Sequence, residues 1–334
     1  MKRKLTVIGA GSFGTTLAIL LCENGHNVSL YTYNEETAKI LDETRENKKY
    51  LPNIKIPKSI KIISNMKEAV EEASAVVLAV PSVAMASVLQ QISKNLKDNP
   101  NITFIITSKG FYNQNTLSQI AENILVGILP EKIGALSGPT HAEELALKLP
   151  TTCVAAASSQ ATADFIQDIF MNEYFRIYTN TDIIGVELAG ALKNIIALAA
   201  GILDGMGYGD NTKAALITRG IKEISALGVA CGADASTFYG LAGIGDLIVT
   251  CTSTHSRNLR AGKLLGLGKT IDQAKNEIGQ VIEGANAANA AKELANKYGI
   301  DMPIVEKVNH VLSGKKTPQK AIYELMNRDK KQEI

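Results

Sequence analysis

The sequence predicts an α/β chain in which a doubly wound parallel-sheet domain, residues 1–181, is followed by an all-α domain, residues 182–334. Three observations carry that prediction. Short apolar runs alternate with amphipathic, helix-spaced ones through the first half, the pattern of a parallel sheet covered on both faces. After about Thr181 the β-branched clusters give way to long stretches rich in alanine, leucine and glycine with helical spacing. At 334 residues the chain also exceeds the size at which single cores usually stop growing, so two domains are expected.

Leu5 to Ile8 reads as the first strand and Thr15 to Glu23 as a helix. Between them, Gly9-Ala10-Gly11-Ser12-Phe13-Gly14 matches GxGxxG, the phosphate loop of a Rossmann-type dinucleotide fold. Gly9 permits the tight turn, Gly11 lets the backbone approach a pyrophosphate, and Gly14 packs helix against strand. The helix N-terminus supplies free amides and a positive dipole end. Lys2, Arg3 and Lys4 before this apolar stretch imitate a secretory signal, but the three glycines would break its helix. Val28 to Tyr31 is the second strand, and its end, Thr32-Tyr33-Asn34, carries neither the acid that favours NAD nor the arginine that favours NADP. Tyr33 and Asn34 suit either ribose, so NADP and NAD are both expected as cofactors. Glu35 and Glu36 belong to the first turn of the next helix, where acidic residues are favoured.

Ala75 to Val80 and Ile102 to Thr107 read as further strands, separated by a helix over Val83 to Ile92. The second of these ends in Ser108-Lys109-Gly110, and ligands of such sheets lie outside the carboxyl ends of the strands. A helix over Leu117 to Leu125 leads to a strand at Ile133 to Leu136 and then to Ser137-Gly138-Pro139-Thr140-His141-Ala142-Glu143. Thr140 and Glu143 have capping-box spacing, and the amides of such a helix start would also receive an anion or the nicotinamide amide. Thr152 to Ala156 reads as the last strand.

From Ile183 to Leu203 the run is small and apolar, broken by Glu187, Lys193 and Asn194. A buried ammonium is costly unless it is paired or shifts its pKa. Lys193 is thus either a structural ion pair or a chemical group, and Ala189, Gly190 and Ala197, one helical turn away, leave room for a ligand beside it. The run is long enough to span a bilayer, but its two charges near the middle argue against insertion. Farther on, Gly243-Ile244-Gly245-Asp246-Leu247 precedes Thr250, and Asp246 is either a turn residue or a partner for Lys193. Ser256-Arg257-Asn258 reads as a helix start or as a phosphate cradle, an arginine fork beside two small hydrogen-bonding side chains. His141 and His255 remain rivals to Lys193 as the acid.

Lysine plus arginine number 35 against 33 acidic residues, interspersed along the chain, which argues against nucleic acid as a partner. The four cysteines stand far apart without a CxxC pair, so no metal is expected and a cytoplasmic location is. The oligomeric state stays open, with a homodimer among the options.

The order of these segments resembles the bacterial NAD(P)-dependent sn-glycerol-3-phosphate dehydrogenases: GAGSFGTTLA near the N-terminus, SKG at 108–110, SGPT at 137–140, ELAGALKNIIALAAGILDG from Glu187, AGIGDL at 242–247, SRN at 256–258 and VIEG at 281–284. The resemblance covers essentially the whole chain. It implies reversible reduction of dihydroxyacetone phosphate to sn-glycerol 3-phosphate for phospholipid synthesis. By position it implies Lys193 as catalytic acid and base, with Lys109, Gly138, Thr140, Asn194, Asp246, Thr250, Ser256, Arg257 and Asn258 around the substrate. Ser12, Phe13, Tyr33, Lys109, Ala142, Arg257, Val281 and Glu283 would touch the cofactor. Two positions depart from the family, which often has tryptophan or tyrosine at Phe13 and arginine or histidine at Tyr33. The alternatives are a two-domain β-hydroxyacid dehydrogenase, which would need a carboxylate site in place of the SRN cradle, and a non-catalytic protein that senses the nicotinamide nucleotide.

Overall fold

The computed structural model describes residues 2–96, 101–330 and 332–333. The chain divides into two compact units, Met1–Glu187 and Leu188–Ile334. Among the described residues of the first, ten strands are formed: β1 (Lys4–Ile8), β2 (Asn27–Tyr31), β3 (Glu46–Asn47), β4 (Leu51–Lys55), β5 (Lys61–Ile63), β6 (Ala75–Leu78), β7 (Thr103–Ile106), β8 (Ile133–Ser137), β9 (Thr151–Ala157) and β10 (Phe175–Asn180). Eight of them make one sheet in the order β10-β9-β8-β7-β6-β1-β2-β5, while β3 and β4 form a separate antiparallel ribbon. Neighbours are parallel from β5 through β8. The sheet is nonetheless mixed, because β9 runs antiparallel to β8 and β10 follows β9. Only a five-residue helix, Ala142–Ala146, lies between β8 and β9. That is too short to retrace a strand's length, so the chain returns in the opposite direction.

Period-two alternation divides the sheet's side chains between two cores. Val7, Leu30, Val77, Ile105 and Leu136 pack on one face with the helices Ser12–Glu23 and Gln160–Phe170. Ile8, Val76, Leu78, Phe104 and Ile106 pack on the other with Met66–Val70, Met85–Asn95 and Leu117–Ile124. Each such side chain is almost fully buried and contributes about 1.5–3 kcal/mol. The central strands β6 and β7 are thus apolar on both faces and leave polar residues for their ends, where ligands bind.

The helix Ile183–Gly205 is apolar enough to cross a membrane but is buried along most of its length, as a core helix is. In the second unit, its glycines explain much of its small-residue character. A Cβ on Gly201 would lie 2.0 Å from the Leu259 carbonyl oxygen, and one on Gly205 would lie 2.2 Å from that of Lys263. Reciprocally, Gly262 and Gly266 of the helix Arg257–Gly266 abut the carbonyls of Leu198 and Ile202. Two glycine pairs spaced four residues apart therefore let these helices meet backbone to backbone. That close docking fixes where Arg257 and Asn258 stand relative to Asn194.

Candidate active site

In the first unit the GxGxxG segment folds as a strand–turn–helix. Gly9 has φ +113°, and a Cβ there would collide with the Ala79 carbonyl oxygen at 2.5 Å. A Cβ on Gly14 would sit 1.9 Å from the Gly9 oxygen, whereas one on Gly11 would meet no protein atom within 4 Å. Gly9 and Gly14 thus serve the fold, and Gly11 leaves space for a ligand to reach the backbone. The helix Ser12–Glu23 has no side-chain cap and no acidic residue in its first turn. Its amides and dipole fit a pyrophosphate. Phe13 packs against the core beside the loop, and Tyr33 is 85% exposed.

Asn34 is the N-cap of the helix Glu35–Thr44, its carboxamide oxygen accepting from the Thr37 amide at 2.7 Å, with Glu35 and Glu36 in the first turn as expected. The expected capping box at Thr140 does not form. His141 occupies the N-cap of Ala142–Ala146, and the Thr140 hydroxyl instead donates to the Gly138 carbonyl at 3.0 Å. Lys109 Nζ donates to that same carbonyl at 2.7 Å and reaches Thr140 Oγ1 at 3.5 Å. Gly138, at φ +149°, lies so close to Cys153 that a Cβ would be 2.8 Å from its Cα. Lys109, Gly138 and Thr140, chosen separately from the sequence, form one cluster at the carboxyl ends of β7 and β8. The carbonyl of Ala142 accepts from Thr16 Oγ1 in the phosphate-loop helix, 3.2 Å away.

Glu187 is buried and accepts from the Ser118 amide at 3.1 Å and from the Ser118 hydroxyl. It thereby satisfies the N-terminus of Leu117–Ile124. Burial pushes its carboxyl up to about 7 against the opposing pull of those donors. This is a structural role.

In the second unit Lys193 and Asp246 are both buried, and Lys193 Nζ donates to Asp246 Oδ1 at 2.6 Å and to Thr250 Oγ1 at 2.7 Å. The backbone builds this arrangement. Leu241–Gly245 is a single π-helical turn, a form that recurs at functional sites. It delivers Asp246 to the first position of the helix Asp246–Thr252, with Thr250 one turn later on the same face. Gly243 is required there, since a Cβ would lie 2.0 Å from the Phe238 oxygen. Thr250 also donates back to the Asp246 carbonyl at 2.6 Å.

Asn194 and Asn258 are joined side chain to side chain at 2.9 Å, and Asn258 Oδ1 accepts from the Gly284 amide at 2.9 Å. Ser256 is the N-cap of Arg257–Gly266, so the helix-start reading holds for it. Arg257, exposed at the first position of that helix, donates through Nη1 to Gln280 Oε1 and to the Val281 carbonyl at 3.3 and 3.4 Å. Glu283 opens the next helix, Glu283–Tyr298. The second unit therefore brings Asn258 and Gly284 to Asn194, and Arg257 to Val281.

Two buried polar residues outside those candidates carry no signal in the sequence. Asn47 donates to the phosphate loop, and Glu223 accepts from the amides of Ile304 and Val305 at the start of Pro303–Leu312. A lone Asn or Glu in a polar stretch gives no periodic signal, so only the fold reveals either. Among the described residues no cluster of three or more histidine, cysteine, aspartate or glutamate side chains could hold a metal ion.

The family model described as NAD-dependent glycerol-3-phosphate dehydrogenase N-terminus matches residues 4–163, and its C-terminal counterpart matches residues 182–323. A glycerol-3-phosphate dehydrogenase (NAD(P)+) from Fusobacterium nucleatum is 52% identical over 331 residues, covering 99% of this chain and 98% of the relative. The enzyme of the same description from Bacillus subtilis is 48% identical over 334 residues, covering 99% and 96%. The crystal structure of glycerol-3-phosphate dehydrogenase from Coxiella burnetii superposes with a TM-score of 0.93 at 35% identity, covering 98% of this chain and 99% of that one. With both family models matched in order over nearly its whole length, the chain belongs to the NAD-dependent glycerol-3-phosphate dehydrogenase family.

Proposed function

We propose that the chain reduces dihydroxyacetone phosphate to sn-glycerol 3-phosphate, reversibly, with NADPH or NADH, and so supplies glycerol 3-phosphate for glycerophospholipid synthesis. The observation that carries this reading is the buried Lys193–Asp246–Thr250 constellation in a member of this family. When bound, the reduced nicotinamide supplies the hydride. Lys193 donates the proton to the ketone oxygen as alkoxide charge develops, and Asp246 and Thr250 hold its ammonium in one direction for that transfer. Arg257 binds the substrate phosphate with its planar fork, supported by Asn258 and Ser256, and Lys109, Gly138 and Thr140 are further substrate-binding residues of this reading. Fixing the phosphate orients the reacting carbonyl, which is where positioning contributes rate. In this reading residues 1–181 hold the dinucleotide through Gly9, Gly11, Ser12, Phe13, Gly14, Tyr33, Asn34 and Ala142. Residues 182–334 supply the chemistry, with Val281 and Glu283 as further cofactor contacts.

With neither acid nor arginine at the end of β2, both cofactors should serve. The test is oxidation of NADPH and NADH on adding dihydroxyacetone phosphate, with a 3-keto acid as comparison. Turnover with the phosphate ester alone supports the proposal; tight nucleotide binding without turnover would leave only a nucleotide-sensing protein. A cytoplasmic location accords with four cysteines, none of which is in a disulfide.

A further inference from the structure

The phosphate loop is held from outside by a side chain that the binding scheme does not use. Asn47 lies in the β3–β4 ribbon, apart from the main sheet, and is 4% exposed. Its Nδ2 donates to the Ala10 carbonyl and to Thr15 Oγ1, both at 2.9 Å. Both hydrogens of that nitrogen are therefore committed to the loop and to the first turn of its helix. A carbonyl can only accept, which dictates the amide's orientation. The ribbon is itself anchored. Arg45 donates to the Ile60 carbonyl at 2.8 Å, Leu51 opposite Asn47 is buried, and the Asn47 carbonyl accepts from Tyr50.

We propose that Asn47 is a positioning residue for the cofactor's pyrophosphate, aiming the Gly11 amide by holding the Ala10 carbonyl. The inference rests on the cofactor reading above. Ala10 and Gly11 share one planar trans peptide, so the carbonyl and the following N–H point in opposite directions. A donor that draws the Ala10 oxygen toward the ribbon turns the Gly11 amide away from it. Gly11 bounds this peptide on one side and Gly9, at φ +113°, precedes Ala10, so few side chains otherwise restrain the plane. The bond to Thr15 joins the helix's uncapped first turn to the same nitrogen, and loop and helix start become one preorganised anion receptor.

The test uses the full chain as Asn47→Asp, which keeps the shape and loses the donor, and as Asn47→Ala. NADPH binding is titrated by its fluorescence, steady-state kinetics are measured with dihydroxyacetone phosphate, and thermal unfolding is followed without cofactor. Both substitutions should raise the Kd and KM for NADPH by about ten- to a hundredfold, as mis-aiming the Gly11 amide's hydrogen bond to a charged phosphate implies. Asn47→Asp should be the weaker binder because it adds negative charge beside the phosphates. The kcat at saturating NADPH and the KM for dihydroxyacetone phosphate should stay near wild type. Unchanged NADPH affinity in a folded variant would overturn the proposal, as would a lowered melting temperature with no separation between the two KM values. If neither variant folds, Thr15→Val frees one of the two bonds and should still weaken NADPH measurably; no change there also overturns it. Wild-type protein that binds NADPH without turnover defeats the functional reading alone, and the affinity measurement still judges Asn47.

Discussion

Lys193 and Asp246 form an ion pair in a dry site, and that pair alone would be consistent with a purely structural role. The two roles separate by a double-mutant cycle. Lys193→Ala removes the proton donor and leaves a buried carboxylate unpaired, so it should abolish nearly all of kcat and also cost about 3–5 kcal/mol of stability. Lys193→Ala combined with Asp246→Ala removes both charges and should regain much of that stability while activity stays lost. Recovery of turnover in the double variant would shift the proton to another residue, with His141 and His255 first in line. The composition of the apolar run already singled out Lys193, because an ammonium among alanines and leucines demands a partner. Of its two partners the sequence offers Asp246, as either a turn residue or a partner, but gives no sign that Thr250 joins them; the two lie 53 and 57 residues away and meet Lys193 through the helix after the π-turn. Small residues farther along the same helix have a different cause: Gly201 and Gly205 serve helix–helix contact.

At the scale of elements, the strand–loop–helix around Gly9 divides its glycines between fold and function. Gly14→Ala places a Cβ 1.9 Å from the Gly9 carbonyl oxygen, an overlap with backbone that no rotamer relieves. It should lower the melting temperature in the absence of cofactor, by an overpacking cost of about 1–3 kcal/mol or more. Gly11→Ala meets empty space, so it should leave the cofactor-free melting temperature nearly unchanged while raising the KM for NADPH. Equal melting temperatures for both variants would contradict the division. This motif was readable because glycine spacing is local. The same locality explains which strands the sequence revealed: β1, β2, β6, β7, β8 and β9 are largely buried and carry short apolar runs. By contrast, β10 alternates buried and exposed residues at the sheet edge with Arg176 among them, and β5 has three residues. Neither has enough apolar length to stand out. The reversal of β9 follows from the shortness of the helix before it, a property of the connection that strand patterns do not encode.

Over the whole molecule, each unit buries one glutamate against the start of a helix, Glu187 in the first and Glu223 in the second. Backbone amides and the helix dipole favour the charged carboxylate, yet burial outweighs them and pushes both groups from 4.5 up to about 7. A carboxyl whose folded pKa is raised favours folding in its protonated form. Its contribution is complete below 4.5 and is lost as pH rises through about 7, amounting to about 3 kcal/mol per group. His26 works in the opposite sense, because burial lowers its pKa from 6.5, so its contribution is present above that value and fades in more acidic solution. The wild-type stability curve therefore mixes the two signs, and the informative quantity is the difference between wild type and an isosteric variant. Glu223→Gln keeps the volume and one acceptor without the titration, and Glu187→Gln does the same in the first unit. Denaturant unfolding measured from about pH 5 to pH 8 should show wild type losing stability relative to each variant by about 3 kcal/mol across the window. Curves that run parallel for wild type and Glu223→Gln would mean that this carboxylate is stabilised by its helix amides as fully as it is penalised by burial.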